Sequence, residues 1–223
     1  DIYVIIDFHE HYAEHWVDLA KDFFTYFATK WGDYPNVMYE IFNEPKCDDG
    51  TVVQYAKKII PTIRDIDTDN VIIVGSSEYS RHPDQVTDAG QGYSNIAYTW
   101  HGYIEWGHQG DWNGKSSWNN GVPVVVTEWG MDPGNTGGLL DKYKQAGVMS
   151  AFWSMSNKGG NDAKWSVLKD DCFKTTGWSE SDMTEDGKYM LNQCKGWINY
   201  KPVVTTPVVK ELSMSICSAK KFF

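Results

Sequence analysis

No stretch of this chain approaches the roughly 20 consecutive apolar residues that a membrane-spanning helix needs, so nothing in it reads as a transmembrane segment. Positive charge is also scarce. Twenty Lys and Arg stand against thirty Asp and Glu, a net charge of -10, which repels phosphate backbones and anionic headgroups and so argues against nucleic acid or a membrane surface as partner. Cysteine is thin as well. Cys47, Cys172, Cys194 and Cys217 contain no CxxC pair, which argues against a zinc ribbon or a thioredoxin-type couple and leaves one disulfide or none. No signal peptide is visible, but the sequence opens directly on a strand-like run with no preceding cap or turn. A fragment lacking its true start is therefore expected.

Aromatics, in contrast, are abundant. Aromatic residues make up 15% of the chain, with 11 Trp and 13 Tyr, more than a core requires. Excess Trp is the usual means of stacking on the apolar faces of sugar rings, although aromatics also serve simply as core and surface residues. A neutral carbohydrate fits this composition better than a charged ligand. With 223 residues and 41% hydrophobic content, the chain is long enough for one large core, and a single domain is expected.

Apolar runs alternate with helical patterns along the chain. Tyr3 to Phe8 reads as a strand by run length and β-branching, and closes on His9-Glu10-His11. Trp16, Leu19, Phe23, Phe27 and Trp31 recur at helical spacing, predicting an amphipathic helix on that stripe. Val37 to Phe42 reads as a buried strand stopped by Asn43-Glu44-Pro45. A second helical stripe, Val52, Ala56, Ile59, Ile63 and Ile66, is expected to break or kink near Pro61.

Strands are further expected at Val71 to Gly75, followed by a polar loop from Ser76 to His82; at Ile96 to His101, followed by a loop holding Trp106, Trp112 and Trp118; at Val122 to Thr127, ending in Glu128-Trp129-Gly130; and near Val148 to Ser154. A short helix around Leu139 to Ala146 separates the last two. This alternation means parallel βαβ units. Polar residues close the strands, with His9, Glu44, Ser77, His101 and Glu128 at their ends, a ring of functional ends that favours a TIM (β/α)8 barrel over a doubly wound sheet. Six strands are visible where a barrel has eight, so strands 3 to 8 are expected here. Residues 201–223, rich in Pro, Val and Thr and then polar, read as linker or ill-ordered tail.

Glu44 and Glu128 are the sharpest candidates, because a carboxylate at the end of a buried strand is costly unless it has a partner or a task. Two such groups at converging strand ends are what glycoside hydrolysis uses, one to protonate the leaving oxygen and one to attack the anomeric carbon. The alternative is that each is salt-bridged at a barrel rim. Asn43 is a natural donor to a sugar hydroxyl, or else a turn residue. His101 and Tyr103, two apart at a strand end, are able to face one site, with Tyr103 donating to Glu128; His101 alone also fits a structural histidine. His9, Glu10 and His11 invite a metal reading, but no aspartate closes the last strand and both glutamates would be idle. Trp153 is a candidate floor for the sugar at the cleavage point, or a plug of the barrel top, and Lys158 just beyond it is within reach of a hydroxyl.

Taken together, Ile5-Ile-Asp-Phe-His9, Gly32 through Pro45, Val71 through Gly75, His101-Gly-Tyr103, Val125-Val-Thr-Glu-Trp-Gly130 and Phe152-Trp-Ser154 resemble the glycoside hydrolase family 5 cellulases, in order and spacing, over residues 1–200. The resemblance implies a catalytic domain over 1–200, Glu44 as acid/base, Glu128 as nucleophile, and His9, Asn43, His101, Tyr103 and Trp153 lining the cleavage subsite, with Tyr79 and Lys158 as further contacts. It also implies a secreted, monomeric endo-β-1,4-glucanase that needs no metal or other cofactor and takes β-glucan polysaccharide or oligosaccharide. A mannan- or xyloglucan-cleaving relative shares the same catalytic set. The family's first two βα units and its strand-end arginine have no counterpart in the sequence, and a secreted relative permits a disulfide, for which Cys172 with Cys194 is the suggested pair.

Overall fold

A computed structural model describes residues 2–103, 117–130 and 137–197. Two compact units divide the chain. Of the described residues, one holds 3–101 with 117–125, and the other holds 2, 102–103, 126–130 and 137–197.

The first unit is built on parallel strands that are neighbours in chain order: β1 (Val4–Asp7), β2 (Val37–Glu40), β3 (Val71–Val74) and β4 (Ile96–Tyr103), whose last two residues belong to the second unit. Register runs Ile6 to Tyr39, Tyr39 to Ile72 and Ile72 to Ile96. Every residue of β2 is buried, as a strand covered on both faces must be, and its apolar run follows from that. The crossovers between these strands carry α1 (Val17–Trp31) and α2 (Asp49–Arg64).

Helix α2 begins where Asp48 caps it, accepting the Thr51 N–H at 3.0 Å and the Thr51 hydroxyl at 2.7 Å. Those two bonds, the hydroxyl's first, hold the Asp48 carboxyl below its ordinary value. Its buried face is Val52, Val53, Tyr55, Ala56, Ile59, Ile60 and Ile63. The helix runs through Pro61 to Arg64 rather than breaking there. Pro61 lies in the last turn, where little helix remains to lose. Ile66 falls outside the helix and is exposed.

Helix α1 forms where its pattern predicts, but on a different face. Ala20, Phe24 and Ala28 are its buried residues, whereas Leu19 is 58% and Trp16 53% exposed. The aromatic stripe sits about 100° around the helix from this face, with Phe23 and Phe27 half-buried beside it. Two alanines flanking one phenylalanine let the helix approach the sheet closely, and Phe24 meets Phe8 and Tyr39 at 6.2 Å between ring centroids.

The core joins Phe24, Tyr39, Phe42, Tyr55, Ile59 and Ile72. At its edge Asp67 accepts the Tyr39 hydroxyl at 2.7 Å and Asn70 Nδ2 at 2.8 Å. Burial acts to raise the Asp67 carboxyl, but the bonds from Asn70, Tyr39 and Asp69 outweigh it and the net shift is downward.

The second unit contains β5 (Val124–Gly130), whose first two residues belong to the first unit, then α3 (Gly137–Ala146), β6 (Ser150–Phe152) and α4 (Glu185–Trp197). Strands β5 and β6 are parallel, pairing Val126 with Ser150 and Trp129 with Phe152 across a register shift. Trp129 is fully buried, packed edge-on against Tyr143 and Phe152. A smaller cluster joins Val167, Leu168, Cys172 and Met183. Helix α4 lies so near it that a side chain at Gly187 would collide with the Val167 carbonyl oxygen; only glycine fits.

The suggested Cys172–Cys194 bridge is not formed, and both residues carry thiols. Cys172 is instead a small apolar member of that cluster. The Cys47 thiol is pushed up to about 12, by burial first and by Glu14 second, so it is no ready nucleophile. Trp106, Trp112, Cys217 and the 201–223 tail lie outside the described residues.

Candidate active site

In the first unit, the chain leaves β2 still hydrogen-bonded. The Ile41 N–H donates to Ile73 O at 3.0 Å, and Ile41 O accepts the Tyr55 hydroxyl at 2.8 Å. Asn43 is buried, and its carbonyl accepts Ser80 Oγ at 2.7 Å. Held by this frame, Glu44 places each carboxylate oxygen near an imidazole. His101 Nδ1 lies 3.0 Å from Oε1, and His11 Nδ1 lies 3.7 Å from Oε2 while also 3.0 Å from the Glu44 carbonyl. His101 is 2% exposed. Its other ring nitrogen, Nε2, lies 3.7 Å from Glu40 Oε1, and Glu40 is itself only 3% exposed. Nothing in the sequence marks Glu40, which reads there as the one charge in an apolar run.

His9 turns Nδ1 to Asp7 at 2.6 Å, whereas His11 turns the same atom toward Glu44. Tyr79 is half exposed on the turn Ser77–Ser80, where Glu78, Tyr79 and Ser80 have φ of 52°, 63° and 59°. Three consecutive left-handed residues without glycine are costly and persist only where the surroundings fix them. Here Pro45 O accepts the Tyr79 N–H at 3.3 Å and Ser76 O accepts the Ser80 N–H at 3.0 Å. The expected loop is thus a locked turn. It sets the Tyr79 ring 6.1 Å from that of His11, and Lys46 Nζ lies 5.5 Å from the rings of both Tyr79 and Tyr12. Tyr12, Lys46 and His11 thereby join the candidates, although no spacing pattern along the chain points to them as sugar contacts.

In the second unit, Tyr103 at the end of β4 donates its hydroxyl to Glu128 Oε1. Both are buried, Glu128 to 7% exposure. The Tyr103 ring passes directly over Gly130, where a side chain would collide with it, and meets Trp165 edge-on at 5.6 Å. Glycine after Glu128-Trp129 is therefore what admits the tyrosine. Glu128 sits within β5 rather than just past it. Trp153 follows β6, its N–H on Trp129 O at 2.8 Å, and Lys158 Nζ stands 4.7 Å from its ring centroid. A phenol aimed at one carboxylate and imidazoles at the other give the two acids distinct chemical surroundings.

A family model described as cellulase (glycosyl hydrolase family 5) matches residues 1–159. The chain belongs to glycosyl hydrolase family 5. Among curated members, it is 35% identical to an endoglucanase of Clostridium saccharobutylicum over 88% of this chain and 47% of that protein. It is 33% identical to Endoglucanase A of Butyrivibrio fibrisolvens over 86% and 48%. The chain thus spans about half the length of the curated relatives it matches. Among solved structures, the catalytic domain of Thermobifida fusca endoglucanase Cel5A is 27% identical with a TM-score of 0.72, over 86% of this chain and 68% of that one; a variant of the same domain solved with cellotetraose gives 0.68. The fold of this family 5 chain is accordingly that of an incomplete TIM barrel, with six strands among the described residues where closure takes eight.

Proposed function

We propose that the chain is the catalytic part of an endo-β-1,4-glucanase, a secreted and monomeric enzyme cleaving internal bonds of β-glucan with retention. Glu128 is the nucleophile and Glu44 the acid/base. In the first step Glu128 attacks the anomeric carbon, the glycosidic C–O bond breaks, and the Glu44 proton passes to the departing oxygen. In the second, Glu44 takes a proton from water, whose oxygen displaces Glu128 and returns the sugar to its starting configuration. Asn43, His9, His101, Tyr103 and Trp153 line the cleavage subsite in this reading, and Tyr79 and Lys158 extend it.

The observation that carries the assignment is the difference in surroundings. Glu128 receives a phenol hydrogen bond, which orients a carboxylate and supports its negative charge. Glu44 has imidazole nitrogens at both oxygens, partners able to donate or accept as its proton comes and goes. The endoglucanase names of the relatives, and the cellotetraose bound to the Thermobifida fusca domain, support β-1,4-glucan as substrate.

Hydrolysis of carboxymethylcellulose against galactomannan tests this, with Glu128→Gln as control. Release of reducing ends from the glucan, abolished by the substitution, is expected. Preferential cleavage of galactomannan would move the substrate to the mannanase reading, and substantial turnover by Glu128→Gln would remove Glu128 from its role.

A further inference from the structure

Glu40 has no task in that mechanism, yet it is a carboxyl group buried at the end of a strand, a placement that is costly unless a partner compensates it. Its Oε1 lies 3.7 Å from His101 Nε2, and the opposite edge of the same ring lies 3.0 Å from Glu44 Oε1. The three side chains form a series, with the imidazole between two carboxyl groups. Glu40 and His101 belong to β2 and β4, and Glu44 lies four residues past β2 on chain held by the Ile41 N–H to Ile73 O, Tyr55 hydroxyl to Ile41 O and Ser80 hydroxyl to Asn43 O hydrogen bonds.

We propose that Glu40 is a positioning residue for Glu44, acting through His101. The separation from Nε2 is longer than a hydrogen bond, but in a buried setting charge acts strongly at that range. A carboxylate facing Nε2 keeps a proton on that nitrogen. Which ring nitrogen carries the proton is set by what the other faces, so in the neutral ring Nδ1 presents its lone pair to Glu44. Nδ1 is then the acceptor for a protonated Glu44, the form that the first half of the reaction requires. No proton travels through His101; Glu40 sets the ring's tautomer and orientation.

This inference rests on Glu44 as acid/base, and its test separates the two ideas. Glu40→Gln keeps the shape and removes the charge, while Glu40→Met also removes the acceptor. Each is compared with the unsubstituted chain on cellopentaose, whose leaving group needs a proton, and on 2,4-dinitrophenyl β-cellobioside, whose leaving group does not. Because kcat/KM reports the step that breaks the glycosidic bond, a loss of about tenfold or more is expected on cellopentaose and about twofold on the aryl substrate. Equal losses on both, as a purely structural role would give, or no loss on either, would overturn it. Ring-nitrogen NMR of His101 provides a readout independent of turnover. The Nε2 resonance is expected to carry a proton in the unsubstituted chain and to shift in Glu40→Met; an unmoved signal contradicts the proposal even if neither substrate is hydrolysed and the glucanase reading itself fails.

Discussion

The two units carry their candidate carboxylates in different ways. In the first, Glu44 stands at the rim of a dense core of large side chains, on chain that continues a fully buried strand, and it meets two imidazoles. In the second, Glu128 lies inside its strand beneath a phenol, and the ring of that phenol fits only because Gly130 has no side chain. On the proposed mechanism Glu44 exchanges a proton twice per turnover, and its imidazole neighbours are able to donate or accept. Glu128, which that mechanism keeps anionic and aimed, has a donor fixed by packing. Under the proposed assignment, it is these neighbours, not the glutamates themselves, that distinguish the acid/base from the nucleophile.

Removing the proposed proton shuttle should have the largest effect. Glu44→Gln is expected to lower kcat/KM on β-glucan by about 10² to 10⁴, while an aryl glycoside with a good leaving group loses much less. Equal loss on both would erase the distinction between the two carboxylates. The core of the first unit supplies the next largest change. Phe24→Ala should cost about 3 to 5 kcal/mol of stability in urea titration, whereas Leu19→Ala, one face away on the same helix, should stay within about 0.5 kcal/mol. The reverse order would restore the aromatic stripe as the packed face.

Tyr103→Phe probes the contrast from the other side. Loss of a hydrogen bond to a charged group costs about 1.5 to 3 kcal/mol, read as a drop in kcat with both natural and activated substrates, since the proposed nucleophile serves both. The smallest effect concerns the exposed rim of the second unit. The Asp182 carboxyl is held down at about 2, by the Lys174 ammonium first and then by the Ser179 N–H. Its folded value lies below the usual one of about 3.9, so its contribution is present above about pH 4 and is lost as pH falls through about 2. Asp182→Asn should flatten that part of a Tm-against-pH curve, by little because the pair is solvated.

Much of the architecture is legible in the amino-acid sequence alone. Glu44 and Glu128 stand out because apolar runs end abruptly at them, and the strands follow from run length and β-branching. Other features carry no local signal. Glu40 is one charge in an apolar run and gains meaning only when β4 brings His101 beside β2, 61 positions along the chain (101 minus 40). The left-handed turn at Glu78–Ser80 contains none of the glycines that would announce it. The packed face of α1 departs from the aromatic stripe because side-chain size is not burial: the sheet prefers the close approach that Ala20 and Ala28 allow, and the larger Leu19 and Trp16 are left outside.

Trapping puts the division of labour between the two glutamates to its plainest test. The chain is incubated with 2,4-dinitrophenyl 2-deoxy-2-fluoro-β-cellobioside, in which the fluorine slows breakdown of a covalent intermediate, and the labelled peptide is located by mass spectrometry. A single fluorocellobiosyl group esterified to Glu128 is expected. A label on Glu44, or hydrolysis of natural substrate with inversion and no label at all, would refute the assignment.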